Sequence, residues 1–550
     1  MKYLQIHPAD NLLVALQDLD AGTAIQHNGH GFLLTHHVQA KHKFTTEPLR
    51  QGDGVFMYGV LVGKATQPIA QGEVITTFNL RHESDGYGIE KKQPITWHAP
   101  DAGRWQNRTF MGYPRSNGTA GTRNYWLVIP LVFCENRNVL MMKDAFEREL
   151  GFAQPEKYRD QVRSLLESHK NGVPMEATGK TAAESPAPPA TRTNPWLPNV
   201  DGIKFLTHEM GCGGTNQDSQ ALAGVFAGFA INPNVAGITV LSLGCQKTQL
   251  EDLQQEIQKR NPGFDKPILY FDQQTYGTEH ALMTDAIRQT FQGLVEINRI
   301  ARQPVPVSQL NIGLKCGGSD GFSGISANPA LGSLSDILVT LGGTTLLAEF
   351  PELCGVEQEL INRCKSDGDA RKFIRLMDEY AAQAAAVGAG FDMNPSKGNI
   401  KDGLITDAIK SAGAAKKGGN APIAGVLNYT EQPAGPGLHL LCTPGNDVLA
   451  TTGMAASGAN LIVFTTGLGT PTGNAITPTA KVSTNSRLAE RMPDIIDFDS
   501  GRVISGGESI AENGEAMLEW LIGLASGEYL TKAEQLGQDD FIPWRRGVNL

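Results

Sequence analysis

From residue 203 onward, short apolar runs alternate with longer amphipathic stretches, in units spanning 203–230, 237–260, 267–302 and 311–342. Few folds satisfy such a pattern. A parallel strand can rejoin its neighbour only through a crossover of a dozen or more residues, usually a helix, so the alternation predicts parallel sheets built from βαβ units. A second set follows Pro395, with apolar runs at 423–427, 438–442 and 461–466, a helix from Asn446 and another over about 508–526. In an open sheet of this kind the carboxyl ends of the strands share one edge, and ligands bind there. Glycine supports the reading: 62 glycines in 550 residues exceed the usual share of about 7%, and they cluster in turns after strands.

A chain of 550 residues is too long for one core. Residues 1–82 read as a small all-β module, with short strands at 12–15, 31–34, 54–62 and 74–78 separated by Asp20-Ala21-Gly22, Gln51-Gly52-Asp53-Gly54 and Ala70-Gln71-Gly72. A polar connector follows over 83–108. The remainder divides into a first α/β domain, 109–310, and a C-terminal α/β domain, 311–550. Within the former, 154–200 breaks the alternation with an Ala/Pro-rich half and is expected to be an insertion or tether. A net charge of −10 with scattered basic residues leaves no electrostatic footprint for nucleic acid. The amino terminus lacks the apolar core of a signal peptide, and no run of about 18 apolar residues occurs. Seven cysteines, an odd number in a long chain, suit reduced thiols. A cytoplasmic protein with no membrane partner is expected.

Four of the cysteines follow short apolar runs: Cys134 after 126–133, Cys212 after 203–207, Cys245 after 238–243 and Cys316 after 311–314. Strand ends that share an edge could bring them together, and thiolate is a soft ligand for iron, zinc or an iron–sulfur cluster. The plainer alternative is that free cysteine packs as a small buried residue. His208 lies four residues before Cys212, and His42 sits between Lys41 and Lys43, where its proton would be loosely held. Cys316-Gly317-Gly318-Ser319-Asp320 offers backbone N–H groups and hydroxyls to a polar ligand. Asn446-Asp447 reads equally as a helix N-cap, and Arg123-Asn124 equally as a carboxylate grip or a surface ion pair. No glycine-rich turn matches a nucleotide-binding pattern.

The chain resembles the altronate/galactarate dehydratase family of sugar-acid hydro-lyases. The resemblance rests on Gly121-Thr122-Arg123-Asn124, His208-Glu209-Met210-Gly211-Cys212, Leu243-Gly244-Cys245, Cys316 to Asp320 with Gly324 to Pro329, Asn394-Pro395-Ser396, Pro444 to Asp447, Gly469-Thr470-Pro471 and Thr484-Asn485-Ser486. The front module resembles the family's SAF domain, with Gly22 and His42-Lys43 in place. Two segments depart from the pattern: Ser396-Lys397-Gly398-Asn399-Ile400 stands for Ser-Pro-Gly-Asn-Lys, and Gly467-Leu468-Gly469-Thr470-Pro471 for Gly-Arg-Gly-Thr-Pro.

The resemblance implies dehydration of an aldonate, D-altronate in the first place, to a 2-keto-3-deoxy acid. Galactarate dehydration, sulfolactate cleavage and non-catalytic sugar-acid binding are the alternatives. It implies catalytic roles for His42, Lys43 and His208. Substrate binding falls to Arg123, Asn124, Ser319, Asp320, Lys397, Asn446, Asp447 and Thr470, with Lys397 replacing the cation lost at Leu468. Cys134, Cys212, Cys245 and Cys316 would hold divalent iron, with manganese as a substitute or an iron–sulfur cluster as the alternative. A small-molecule partner is expected, and a homo-oligomer is compatible with all of this.

Overall fold

The structure is a computed structural model that describes residues 2–154, 157–172 and 194–547. The N-terminal module is antiparallel throughout. Tyr3–Leu4, Leu12–Ala15 and Lys43–Thr45 form one sheet, Ala24–His27 and His30–Leu33 a hairpin, and Gly54–Met57, Val60–Ala65 and Leu80–Arg81 another sheet. The stretch 54–62, expected as one strand, is two. Tyr58 (φ 59°) and Gly59 (φ 79°) both occupy the left-handed region, the conformation a tight hairpin turn requires. Residues 74–78 contribute an isolated bridge between Phe44 and Val74 rather than a strand.

Half of the module encloses its own small core around Leu13, Ile25, Val38 and Phe44. The other half, including Val55, Val62 and Ile75, continues into the core of the C-terminal domain. The connector 83–108 is bound to that domain as well: Gly88 N–H donates to Gln358 Oε1 (2.9 Å), Gln93 N–H to Asn362 Oδ1 (2.9 Å) and Trp105 Nε1–H to Glu519 Oε1 (2.8 Å).

Two parallel sheets follow. The second domain has four strands in the order Gly202–Phe205, Tyr125–Pro130, Val235–Ser242 and Ile268–Asp272. Gln303–Pro306 returns to pair antiparallel with Thr109–Pro114. The C-terminal domain has seven, in the order Ile423–Leu427, Gly437–Leu441, Thr344–Ala348, Asn311–Cys316, Leu461–Thr466, Thr479–Ser483 and Phe498–Asp499. Every residue of Tyr125–Pro130, Val235–Ser242 and Leu461–Thr466 is buried, as strands covered on both faces must be. Of the segment 154–200, a helix spans Lys157–Lys170. Asn194 Nδ2–H ties its far end to Leu150 O (2.7 Å), and Asn199 is bonded to Asn298. Most of the Ala/Pro-rich half lies outside the described residues.

Candidate functional site

Three adjacent strand ends of the four-stranded sheet carry a thiol each. Cys134 lies in the turn Phe133–Glu135 after Tyr125–Pro130, Cys212 in the loop after Gly202–Phe205, and Cys245 in the loop after Val235–Ser242. Backbone hydrogen bonds lash the three loops together: Phe133 N–H donates to Met210 O (3.1 Å) and Lys247 N–H to Gly211 O (2.7 Å). Gly211 (φ 96°) is required for this, since a Cβ there would stand 2.2 Å from Leu131 O. All three thiols are exposed. They feel one another: burial raises the pKa of Cys134, and Cys212 and Cys245 add to the rise. Glu209, Lys247 and Arg545 line the pocket around Cys212. Through Ser219 and Lys247 it adjoins a polar cleft of about 760 Å³ whose walls include Gln217, Gln220, Gln255 and Arg546.

Exposed, mutually tied thiols suit the iron that the resemblance implies. A single four-coordinate ion would draw its sulfurs to about 3.8 Å apart, and these three do not all fall within 4.8 Å of one another.

Cys316 belongs elsewhere. It ends a strand of the seven-stranded sheet, where it is buried and Lys417 Nζ approaches its Sγ at 2.7 Å, with Glu352 Oε2 at 3.5 Å. Lys410 Nζ donates to Glu352 Oε1 (2.7 Å) and Asn394 Oδ1 (2.8 Å), and Lys315 Nζ to Glu349 Oε1 (2.7 Å) and Asp447 Oδ1 (2.8 Å). Burial works against ionisation of both glutamates. At Glu352 the lysines, Lys410 foremost, overcome it and hold the pKa down, whereas burial and the neighbouring Glu352 push Glu349 up. Cys316, Glu349 and Glu352 lie within 4.8 Å of one another. Yet each already meets a lysine ammonium, so a metal ion would face three like charges. Cys316 therefore leaves the thiol set expected from the sequence. Two buried atoms here, Glu349 Oε2 and Ser319 Oγ, have no hydrogen-bond partner among the described residues. Glu349 also sits at φ 71°, ψ 70°, a strained conformation for a non-glycine residue.

Several predicted roles give way to structural ones. His208 is buried: its Nδ1 accepts from Met210 N–H (3.0 Å), its Nε2 pairs with Pro130 O (2.7 Å), and the ring packs on Phe226. Burial lowers its pKa to about 4, so it is a neutral fastener of the Cys212 loop. Arg123 precedes its strand and so lies at the amino edge, opposite the thiols, bound by Glu534 (2.7 and 3.1 Å) and the carbonyls of Thr122 and Leu524. Asn124 is spent on Asn199 O and Ile297 O. Asn446 caps the helix Asp447–Ala456 by accepting from Leu449 N–H.

The other candidates surround the C-terminal edge. Lys41 Nζ reaches from the module to Asp320 Oδ2 and Asp402 Oδ1, both at 3.0 Å. Asp320 also accepts from Thr484 Oγ1 (3.1 Å) and Ser323 Oγ (3.0 Å). It is thus a clamp for the module. His42 Nε2 lies 3.1 Å from Lys401 O, and Lys43, wholly buried, donates to Gly403 O. Burial brings Lys43 down to about 7. Thr470 abuts Gly318, and Asp447, half-buried, receives Lys315. Lys397 is exposed on a short helix that Asn399 Nδ2–H ties to Ser319 O (2.7 Å). The sequence reading passed over Lys315, Glu349, Glu352, Lys410 and Lys417. A usable signal existed: Lys315 and Glu349 are charged residues at the carboxyl ends of otherwise apolar strands.

Fold and site together define a multidomain parallel α/β enzyme with three exposed thiols at the sheet edge of one domain and a buried lysine–glutamate cluster in another. Three family models divide the chain: the altronate/galactarate dehydratase SAF domain matches residues 1–83, the D-galactarate dehydratase/altronate hydrolase second domain 112–298, and the D-galactarate/altronate dehydratase C-terminal domain 307–549. The chain is 31% identical over 552 residues to altronate dehydratase of Bacillus subtilis (strain 168), covering 100% of this chain and 99% of the relative. It is 29% identical to altronate dehydratase of Escherichia coli (strain K12), over 96% of each chain. To galactarate dehydratase (L-threo-forming) of the same strain it is 28% identical, over 97% and 95%. The chain belongs to the altronate/galactarate dehydratase family.

Proposed function

We propose that the chain is a hydro-lyase that removes water from D-altronate, at the carboxyl edge of the four-stranded sheet. The observation that carries this reading is the gathering of Cys134, Cys212 and Cys245 beside a polar cleft. Full-length similarity to two altronate dehydratases supports the choice of acid. Iron held by the three thiols would supply Lewis-acid binding for a hydroxide that is a poor leaving group. The rest falls to side chains. Lys247 and Arg545 line the pocket and can attract the substrate carboxylate, a task first expected of Arg123 and Lys397. The amides of Gln217, Gln220 and Gln255 in the adjoining cleft suit the hydroxyls of a six-carbon chain.

The α-proton needs a base. Asp218 is committed to Thr215 and to the backbone amides of Arg546 and Gly547, which leaves Glu209 as the carboxylate of the pocket lining. After anaerobic loading with ferrous iron and sulfide, turnover of altronate to a 2-keto acid is expected. Glu209→Gln should lower kcat by about 10²- to 10⁴-fold with little change in KM. Absence of turnover by the loaded wild-type chain would overturn the reading. A second location for the base is favoured by the strained backbone and unpartnered carboxylate oxygen of Glu349. Loss of kcat in Glu349→Gln, with Glu209→Gln active, would move proton transfer there.

A further inference from the structure

A different cluster lies at the seam between the N-terminal module and the C-terminal domain. His82 comes from the module side, just past the strand Leu80–Arg81. Cys354 follows the turn Phe350–Leu353, and Asp407 opens the helix Asp407–Ala415. One ligand atom from each lies within 4.8 Å of the others. The three segments converge closely: the position of a Cβ on Gly355 (φ 94°) is 3.0 Å from Ala408 Cβ and 3.5 Å from Ser84 Cβ. His82 Nδ1 lies 3.4 Å from Ala408 N, which turns the ring toward the helix start.

A further observation points to a ligand. Asp407 is 1% exposed; Ser411 Oγ–H reaches its Oδ1 (3.4 Å) and the Cys354 thiol stands against the carboxylate, yet its buried Oδ2 has no hydrogen-bond partner of ordinary geometry among the described residues. On the other side of Cys354 stands Glu357, also buried, holding Gly355 N–H through Oε2 (2.7 Å). The Cys354 thiol lies against both the Asp407 and the Glu357 carboxylates. Tyr87 approaches Cys354 and Glu357, while Asp392 and Glu83 face His82. The cation near Asp407 is Lys410, already bonded to Glu352 and Asn394. This is the reverse of the cluster around Cys316, where an ammonium occupies every anionic group.

We propose that His82, Cys354 and Asp407 form a three-donor structural site for a zinc-like divalent ion that fastens the N-terminal module to the C-terminal domain, the remaining position being left to solvent. Imidazole nitrogen, thiolate sulfur and carboxylate oxygen are each zinc donors, and bond lengths of about 2.0–2.3 Å ask for only a small contraction of His82, Cys354 and Asp407. The ion would give the buried Asp407 carboxylate a counter-charge. It would also tie to one centre segments separated by more than 300 residues.

The test uses full-length chain in which Cys134, Cys212 and Cys245 are replaced by serine, so that the thiol edge takes up no metal. Cobalt(II), a spectroscopic stand-in for zinc, should bind once per chain with a thiolate-to-cobalt charge-transfer band and intense four-coordinate visible bands. Adding Cys354→Ser should abolish the charge-transfer band. Adding Asp407→Asn, which keeps the packing, or His82→Asn should weaken binding at least about tenfold and remove the rise in Tm that zinc gives the parent. A parent that binds no cobalt, or one whose spectrum and affinity survive both Asp407→Asn and Cys354→Ser, would overturn the proposal.

Discussion

In the unfolded chain His208 takes up a proton near pH 6.5, whereas burial brings it to about 4 in the fold. Between those values the unfolded state binds more protons, so stability falls as the pH drops through that window, by up to roughly 3 kcal/mol in all. His208→Gln should flatten this part of the profile, as read by urea unfolding at pH 4.5 and 7; an unchanged slope would place the ring in contact with solvent. Arg123 calls for a different test. Its buried pair with Glu534 overcomes the burial of both groups and holds Glu534 down to about 2, and removing one partner strands the other. Arg123→Met should cost about 3–5 kcal/mol yet leave KM for the acid unaltered in the protein that folds. A selective rise in KM would return Arg123 to the substrate. Both residues show where sequence spacing misleads. His208 lies four residues from a thiol, but the ring turns to backbone. Arg123 precedes its strand and is carried to the wrong edge.

Among elements, the turn that carries Lys41 is one of the places where the N-terminal module meets the C-terminal domain. Lys41 adopts φ 76° to present its ammonium to Asp320 and Asp402, and its carbonyl oxygen comes within 2.4 Å of where a Cβ on Gly321 would stand. Gly321→Ala must therefore push the module away, at a cost of about 1–3 kcal/mol. Gly435→Ala, with nothing within 4 Å, serves as the matched control. Equal Tm values for the two variants would mean that the module is not seated as described. The sequence disclosed the module's short strands but not this docking, because a lysine run between strands reads as a solvated turn. It also missed the break in 54–62, since a tyrosine in the left-handed region carries no local warning.

At the scale of the whole molecule, the alternation of apolar runs and helical stretches was enough to foresee parallel sheets. Two α/β domains were also foreseen, but not that the boundary at 311 separates Cys316 from the other three thiols. Strand ends share an edge only within one sheet, so Cys134, Cys212 and Cys245 come together while Cys316 is carried into a separate, lysine-rich cluster. The buried lysines and glutamates escaped notice for a related reason: their partners come from strands and helices far apart in sequence, and only the fold brings them into register. The central claim, that three thiols of the second domain form the metal edge, rests on this division. Its most direct test is iron and labile-sulfide content after anaerobic reconstitution of the Cys212→Ser and Cys316→Ser chains, alongside the wild type. Cys212→Ser should lose the bound iron and Cys316→Ser should keep it; iron retained without Cys212 and lost without Cys316 would contradict the account.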